Sequence, residues 1–175
     1  AFINLSTPPL NTIIFASGVS DSGCIDNNKF IREKKLLINE LKKANNNSRF
    51  IYFSTCSIYD KQLMDSPYVN HKKSMEEMIL NSNKGYVFRL AQIAGKDSPS
   101  KTLLTSIQNA ALTGEIFQIW TKAKRNILDV IDARDIIIKL MERDNLFSNC
   151  INIANPRQHS IKDLVLTFEN VLGTK

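Results

Sequence analysis

The chain has 175 residues, 43% of them hydrophobic and 23% charged, and carries a formal net charge of +6 at pH 7. Those fractions belong to a single folded domain with a sizeable core, and they exclude disordered, collagen-like and coiled-coil chains. Much of the positive excess lies in Lys29, Arg32, Lys34, Lys35, Lys42 and Lys43, interleaved with Glu33 and Glu40 on one stretch that reads as a solvated helix face.

No arginine-rich or aromatic-interleaved basic tract is present, so nucleic acid is not an expected partner. The six glycines, Gly18, Gly23, Gly85, Gly95, Gly114 and Gly173, nowhere take the spacing of a phosphate-cradling loop. Cys24, Cys56 and Cys150 are odd in number and form no CxxC, which points away from a disulfide framework or a zinc site and towards a reducing, cytoplasmic compartment. No metal ligand set is expected. No apolar run approaches the ~18 residues of a membrane span, so no membrane partner is expected. The chain opens at Ala1 rather than Met, which points to residues upstream.

From Thr12 the run TIIFAS is short, β-branched and aromatic, and predicts a buried strand ending in a loop at Gly18. A helix follows over about Asn28 to Ala44, with Phe30, Leu37, Leu41 and Ala44 near one face, until Asn45 to Ser48 break it. FIYFS at 50–54 is a second strand; Ser66-Pro67 then marks the N-cap and first turn of a helix to about Asn81. YVFRL at 86–90 is a third strand. A helix of about Lys101 to Thr113 closes at Gly114 and leads into the segments EIFQIW and NILDVI. Asp132 reads as the cap of the next helix, with Asp135 in its first turn; INIAN at 151–155 is the last strand, and Ser160, Asp163 and Gly173 punctuate a closing helix. Strands alternating with helices predict an α/β fold with a parallel sheet.

The most informative cluster is Ser54-Thr55-Cys56-Ser57-Ile58-Tyr59, directly after a strand, followed by Tyr68-Val69-Asn70-His71-Lys72 on a helix. Ligands of parallel sheets bind at the carboxyl ends of the strands, which is where the hydroxyls of residues 54, 55 and 57 fall. Tyr68 and Lys72 are four apart and share a helix face, which Met75 and Ile79 continue into the core. A phenol with a pKa near 10 is a poor base at neutral pH, and a neighbouring ammonium would stabilise its phenolate. With a threonine hydroxyl to hold the reacting oxygen, the trio suits interconversion of an alcohol and a carbonyl.

At these residues the chain resembles the extended short-chain dehydrogenase/reductases, the NAD-dependent epimerase/dehydratase group that modifies nucleotide sugars. FIYFSTCSIYD is similar to the family's strand and Ser/Thr-rich turn, and SPYVNHKKSMEEMI to its Pro-Tyr-x3-Lys helix with a following Glu. YVFRLAQIAGKD, RNILDVIDARDIIIKLM and INIANPRQHSIKDLV match later family segments, in the family's order, so that the resemblance runs from about residue 12 to the end.

The resemblance implies a Rossmann-like parallel sheet that is partial, its N-terminal βαβ unit lying outside this sequence. It places the later part of that core in about residues 1–95 and a small C-terminal substrate-binding part in about 96–175, interleaved with the last core strand and helix. It implies NAD or NADP as cofactor, a nucleotide-sugar substrate and a homodimer formed through the helices after Asn28 and Ser66. Tyr68 becomes the general acid/base, Lys72 its electrostatic partner and a ligand of the nicotinamide ribose, and Thr55 the group that bonds the reacting oxygen. Ala16, Ser17 and Ser54 fall on the cofactor side, while Gln92 and Arg125 fall where the family contacts the sugar nucleotide.

The departures from the family are equally specific. Asp60 replaces the usual Gly after Tyr59, and only eight residues separate Tyr59 from Tyr68, a brevity that resembles the reductase branch more than the epimerases. Ser57 stands where a dehydratase has an acid, which argues against sugar 4,6-dehydration. The expected function is an NAD(P)-dependent nucleotide-sugar epimerase or reductase, with the pyrophosphate cradle outside these residues. The rival is a protein of the same fold that binds a nucleotide or a partner and does no chemistry.

Overall fold

The computed structural model describes residues 11–45, 47–82, 85–96, 102–143, 146 and 148–174. In chain order the elements are β1 (Thr12–Phe15), α1 (Asn27–Lys43), β2 (Arg49–Thr55), a single 3-10 turn (Cys56–Tyr59), α2 (Pro67–Leu80), β3 (Gly85–Leu90), β4 (Gln92–Ala94), α3 (Leu103–Thr113), β5 (Lys124–Arg125), β6 (Ile127–Asp129), α4 (Val130–Met141), β7 (Cys150–Ile153), β8 (His159–Ser160) and α5 (Ile161–Leu172).

These form two compact units, Ala1–Ala91 with Asp135–Ile153 and Gln92–Arg134 with Ala154–Lys175. The first unit holds a four-stranded sheet in the order β1-β2-β3-β7, every neighbouring pair parallel. Consecutive parallel strands need a crossover, and α1 and α2 supply it between β1 and β2 and between β2 and β3. Strand β2 is central, and Phe50, Ile51 and Tyr52 are buried on both its faces, as a strand covered on two sides requires. On one face Phe15, Phe50, Tyr52 and Val87 pack against Leu37 of α1, Ala44 at its C-cap, and Met75 and Ile79 of α2. At the joint between α2 and β3 a Cβ on Gly85 would lie 2.2 Å from Ile79 Cγ2 and 2.6 Å from the Ile79 carbonyl oxygen, so only glycine fits.

The second unit has two short two-stranded sheets, β4-β6 parallel and β5-β8 antiparallel, with α3 and α5. Both helices end on left-handed glycines, Gly114 at φ 72° and Gly173 at φ 68°, and Ser160 Oγ caps α5 by accepting from Asp163 N at 3.0 Å.

Several expectations shift. Asp132 is not the cap of α4: that helix starts at Val130, Asp129 Oδ1 accepts from Ile131 N at 2.7 Å, and Asp132 lies inside the first turn with Asp135 beyond it. A carboxylate one residue before the helix bonds its free N–H groups more directly than one within the first turn. The strand expected over 151–155 stops at Ile153 as β7, and the short β8 follows it. Lys101, expected to open α3, lies outside the described residues, as does Ala1; the observed cap is Thr102, which accepts from Thr105 N at 3.3 Å.

Candidate active site

The carboxyl ends of β1 and β2 and the first turns of α2 meet in the first unit. Ala16 and Ser17 follow β1 and are exposed, whereas Val19 is buried. At the end of β2, Thr55 passes into the 3-10 turn and organises it: its Oγ1 accepts from Ser57 N at 3.0 Å and donates to Ser57 Oγ at 3.0 Å. Ser66 caps α2 through Val69 N at 3.2 Å with Pro67 at its first position. That start sets the helix phase and turns Tyr68 and Lys72 inward together, at 4% and 3% exposure.

Tyr68 packs with Val19, Cys24, Phe30 and Val69. Burial pushes its phenol up to about 12 against the opposing influence of the Thr55 side chain. The ammonium of Lys72, expected beside this phenol, forms its ion pair with a carboxylate.

That carboxylate is Glu33, which was expected on a solvated face. It is fully buried on α1, on the side that also carries Phe30 and Leu37. Its Oε2 accepts from Val19 N at 2.7 Å and lies 3.0 Å from His71 Nε2; its Oε1 accepts from Tyr52 Oη at 2.6 Å and from Lys72 Nζ at 3.2 Å. Burial by itself would raise this carboxyl, but the hydrogen bond of His71, the charge of Lys72 and the bonds from Tyr52 and Val19 outweigh it and hold Glu33 at about 2. Lys72 Nζ also donates to Tyr52 Oη at 2.9 Å and to the Phe53 carbonyl at 3.2 Å. An ammonium has three protons, and here each has an acceptor within the protein. Burial lowers the Lys72 pKa and Glu33 opposes that shift. Gly18 passes directly over the pair, where a Cβ would sit 2.8 Å from Lys72 Nζ and 2.9 Å from Glu33 Oε1.

Ser54, expected on the cofactor side, is buried and donates to Glu76 Oε1. Glu76 in turn accepts from Arg89 Nε at 3.0 Å and Nη2 at 2.6 Å, and Arg89 Nη1 donates to Tyr59 Oη at 2.8 Å. The Glu after Pro-Tyr-x3-Lys therefore ties α2 to β3.

In the second unit Gln92 opens β4 opposite Ile127, and its N–H donates to the Asn126 carbonyl at 3.2 Å. Arg125, the neighbour of Asn126, lies on β5 opposite His159 and donates to its own chain at the Lys124 carbonyl, 3.0 Å away. The two residues expected on the substrate side thus lie on adjoining segments of one unit. Among the described residues no group of His, Cys, Asp or Glu could hold a metal ion, and no helix is long and apolar enough to cross a membrane.

The sequence profile of the NAD dependent epimerase/dehydratase family matches residues 16–154. The chain belongs to that family. No curated protein sequence matches it closely enough to add a nearer relative. Among solved structures, this family member is similar to a UDP-glucuronic acid 4-epimerase from Bacillus cereus in complex with UDP-glucuronic acid and NAD, with a TM-score of 0.78 and 18% identity over 94% of this chain and 60% of that one. It is similar also to a dTDP-glucose 4,6-dehydratase from Bacillus anthracis in complex with NAD, with a TM-score of 0.75 and 17% identity over 94% and 58% of the two chains. A third is RMD from Pseudomonas aeruginosa with NADPH, with a TM-score of 0.76, 16% identity and coverage of 94% and 67%. The four-stranded parallel sheet matches part of the Rossmann-like fold of these structures, and the chain spans 58% of the dehydratase.

Proposed function

We propose that the chain carries the proton-transfer and sugar-facing part of an NAD(P)-dependent nucleotide-sugar epimerase or reductase. The observation that supports this reading is the buried Tyr68 phenol, on which the Thr55 side chain at the carboxyl end of β2 acts, with Lys72 one helical turn on. Relatives of the same fold are known with NAD, NADPH, UDP-glucuronic acid and UDP-glucose.

The residues fit the nicotinamide end of a dinucleotide in part. Ala16 and Ser17 are exposed at the end of β1, and Thr55 and Tyr68 stand at the end of β2; Lys72 and Ser54 have their protons engaged elsewhere. When bound, the dinucleotide gives or takes a hydride. Tyr68 supplies the matching proton: its Oη donates to a substrate carbonyl oxygen as that carbon is reduced, and takes the proton back when an alcohol is oxidised. A phenol held near 12 is protonated at neutral pH, the form that donates when a carbonyl is reduced. Thr55 Oγ1 orients the reacting oxygen. Ser57 offers a hydroxyl where elimination of water from the sugar would call for a carboxyl.

NADH is expected to gain fluorescence on titration with the chain. Tyr68→Phe is expected to keep that binding while lowering turnover of a UDP- or dTDP-sugar by about a hundredfold or more. Turnover unchanged by Tyr68→Phe would overturn the assignment. The engaged protons of Lys72 favour a second reading, a non-catalytic nucleotide- or partner-binding protein of the same fold. Absence of NADH binding both by this chain and by a form extended upstream would decide for it.

A further inference from the structure

The loop that leaves β1 packs on Tyr68 through two anchors. Val19 and Cys24 are 7% and 6% exposed, and both lie in one cluster with Tyr68, Phe30 and Val69. The first anchor is held further by its N–H, which donates to Glu33 Oε2 at 2.7 Å, and Arg32 Nη2 bonds the Ser17 carbonyl just before it at 3.2 Å. Between the anchors Ser20, Asp21, Ser22 and Gly23 are all exposed. A tight turn holds them: the Asp21 carbonyl accepts from Cys24 N at 3.1 Å, and Asp21 Oδ1 accepts from Gly23 N at 2.9 Å. Among the described residues the Asp21 carboxylate enters no ion pair. Its charge nevertheless reaches the phenol, being one of those that raise the Tyr68 pKa. The ammonium on the same helix face as that phenol, Lys72, is already paired with Glu33 Oε1 at 3.2 Å.

We propose that Asp21 is a specificity-determining residue of this site, which admits a nucleotide sugar whose sugar is uncharged and rejects one whose sugar carries a carboxylate. The proposal rests on the nucleotide-sugar reading above and narrows its substrate class. A ligand that brings its reacting carbon to Tyr68 Oη sets the rest of its sugar against the loop and the turn on either side of that phenol. These carry the hydroxyls of Ser20, Ser22, Thr55 and Ser57 and the carboxylate of Asp21. The hydroxyls of a neutral hexose can donate to the open lone pairs of a carboxylate. A uronate meets a like charge there, and like charges set close together oppose binding. The groups around the loop do not offset this, because Lys72 is paired with Glu33 and Arg32 is bonded at Ser17, ahead of the Val19 anchor. Repulsion of the wrong ligand gives selectivity without any additional contact to the right one.

UDP-glucose and UDP-glucuronic acid make the test pair, since they differ only in the alcohol or carboxylate at the end of the sugar. Calorimetric titration of each at low salt should show UDP-glucose bound about tenfold more tightly than UDP-glucuronic acid. The diphosphate is common to both, so its own charge cancels in the ratio. Asp21→Asn removes the carboxylate charge and keeps an acceptor oxygen for Gly23 N, so the turn is retained. In that variant the ratio of the two dissociation constants should shrink by about fivefold or more, through tighter binding of the uronate. Raising the salt should shrink the ratio in the unaltered chain as well, because the effect acts between charges. If the chain takes only thymidine nucleotides, dTDP-glucose and dTDP-glucuronic acid are read in the same way. A ratio near one in the unaltered chain, or a ratio that Asp21→Asn leaves unchanged, overturns the proposal and leaves the nucleotide-sugar reading standing. A folded chain that binds none of the four compounds overturns that reading and the proposal with it.

Discussion

Glu33 also sets how the protein should respond to acid. Its carboxyl is held at about 2 in the folded chain against an ordinary 4.5, so the folded state binds this proton less readily than the unfolded state does. The resulting stabilisation is fully present above about pH 4.5 and is lost as pH falls towards 2. Melting temperature followed over that window should drop for the unaltered chain, and the drop should be smaller for Glu33→Gln; equal slopes would show that other carboxylates carry the acid sensitivity. The burial of Glu33 was hard to see in sequence, because a carboxylate among six basic neighbours reads as one more solvated charge. The available signal was position: Phe30, Glu33 and Leu37 recur at spacings of three and four, the stripe that faces a core. That Tyr68 and Lys72 share one face of α2 and that Thr55 ends β2 was legible, because a helix face and a strand end are local properties. The partner that takes up the protons of Lys72 was not, since it comes from 39 residues away.

At the scale of elements, the strands and helices of the first unit follow closely from hydrophobic pattern and caps. Ser66-Pro67 starts α2 as its chemistry demands, and Met75 and Ile79 carry its inner face into the core. The second unit was less legible, because segments such as 115–120 are apolar without being regular: Ile116 is fully exposed and Trp120 is 62% exposed. Apolar content there does not report a strand, and the paired segments shrink to two or three residues. The tightest joint between elements is at Gly85, where an added methyl would collide with both the side chain and the backbone of Ile79. Gly85→Ala should therefore destabilise by about 1–3 kcal/mol, with the midpoint of urea unfolding lowered and its slope unchanged. An unaltered midpoint would mean that α2 can slide away from β3 at little cost.

For the whole molecule, pairing of two copies through α1 and α2 is the assembly that the family resemblance implies. Sedimentation velocity should then show a species of twice 19.8 kDa, and a single species of 19.8 kDa at all concentrations would refute it.

The sheet order also has a consequence for synthesis. Strand β3 ends at Leu90, and its outer neighbour β7 begins only at Cys150. At roughly 5–20 residues per second on the ribosome, β7 emerges several seconds after β3 is complete. During that interval the β3 edge lacks the strand that pairs with it in the finished fold. Val87, Phe88 and Leu90 then lie along a row of open backbone donors and acceptors, the kind of edge that recruits a neighbouring chain. Closure of the sheet is also a long-range event, and such pairings are slow to form. Crowded expression should expose this weakness first, and slower initiation or a lower temperature should raise the soluble yield.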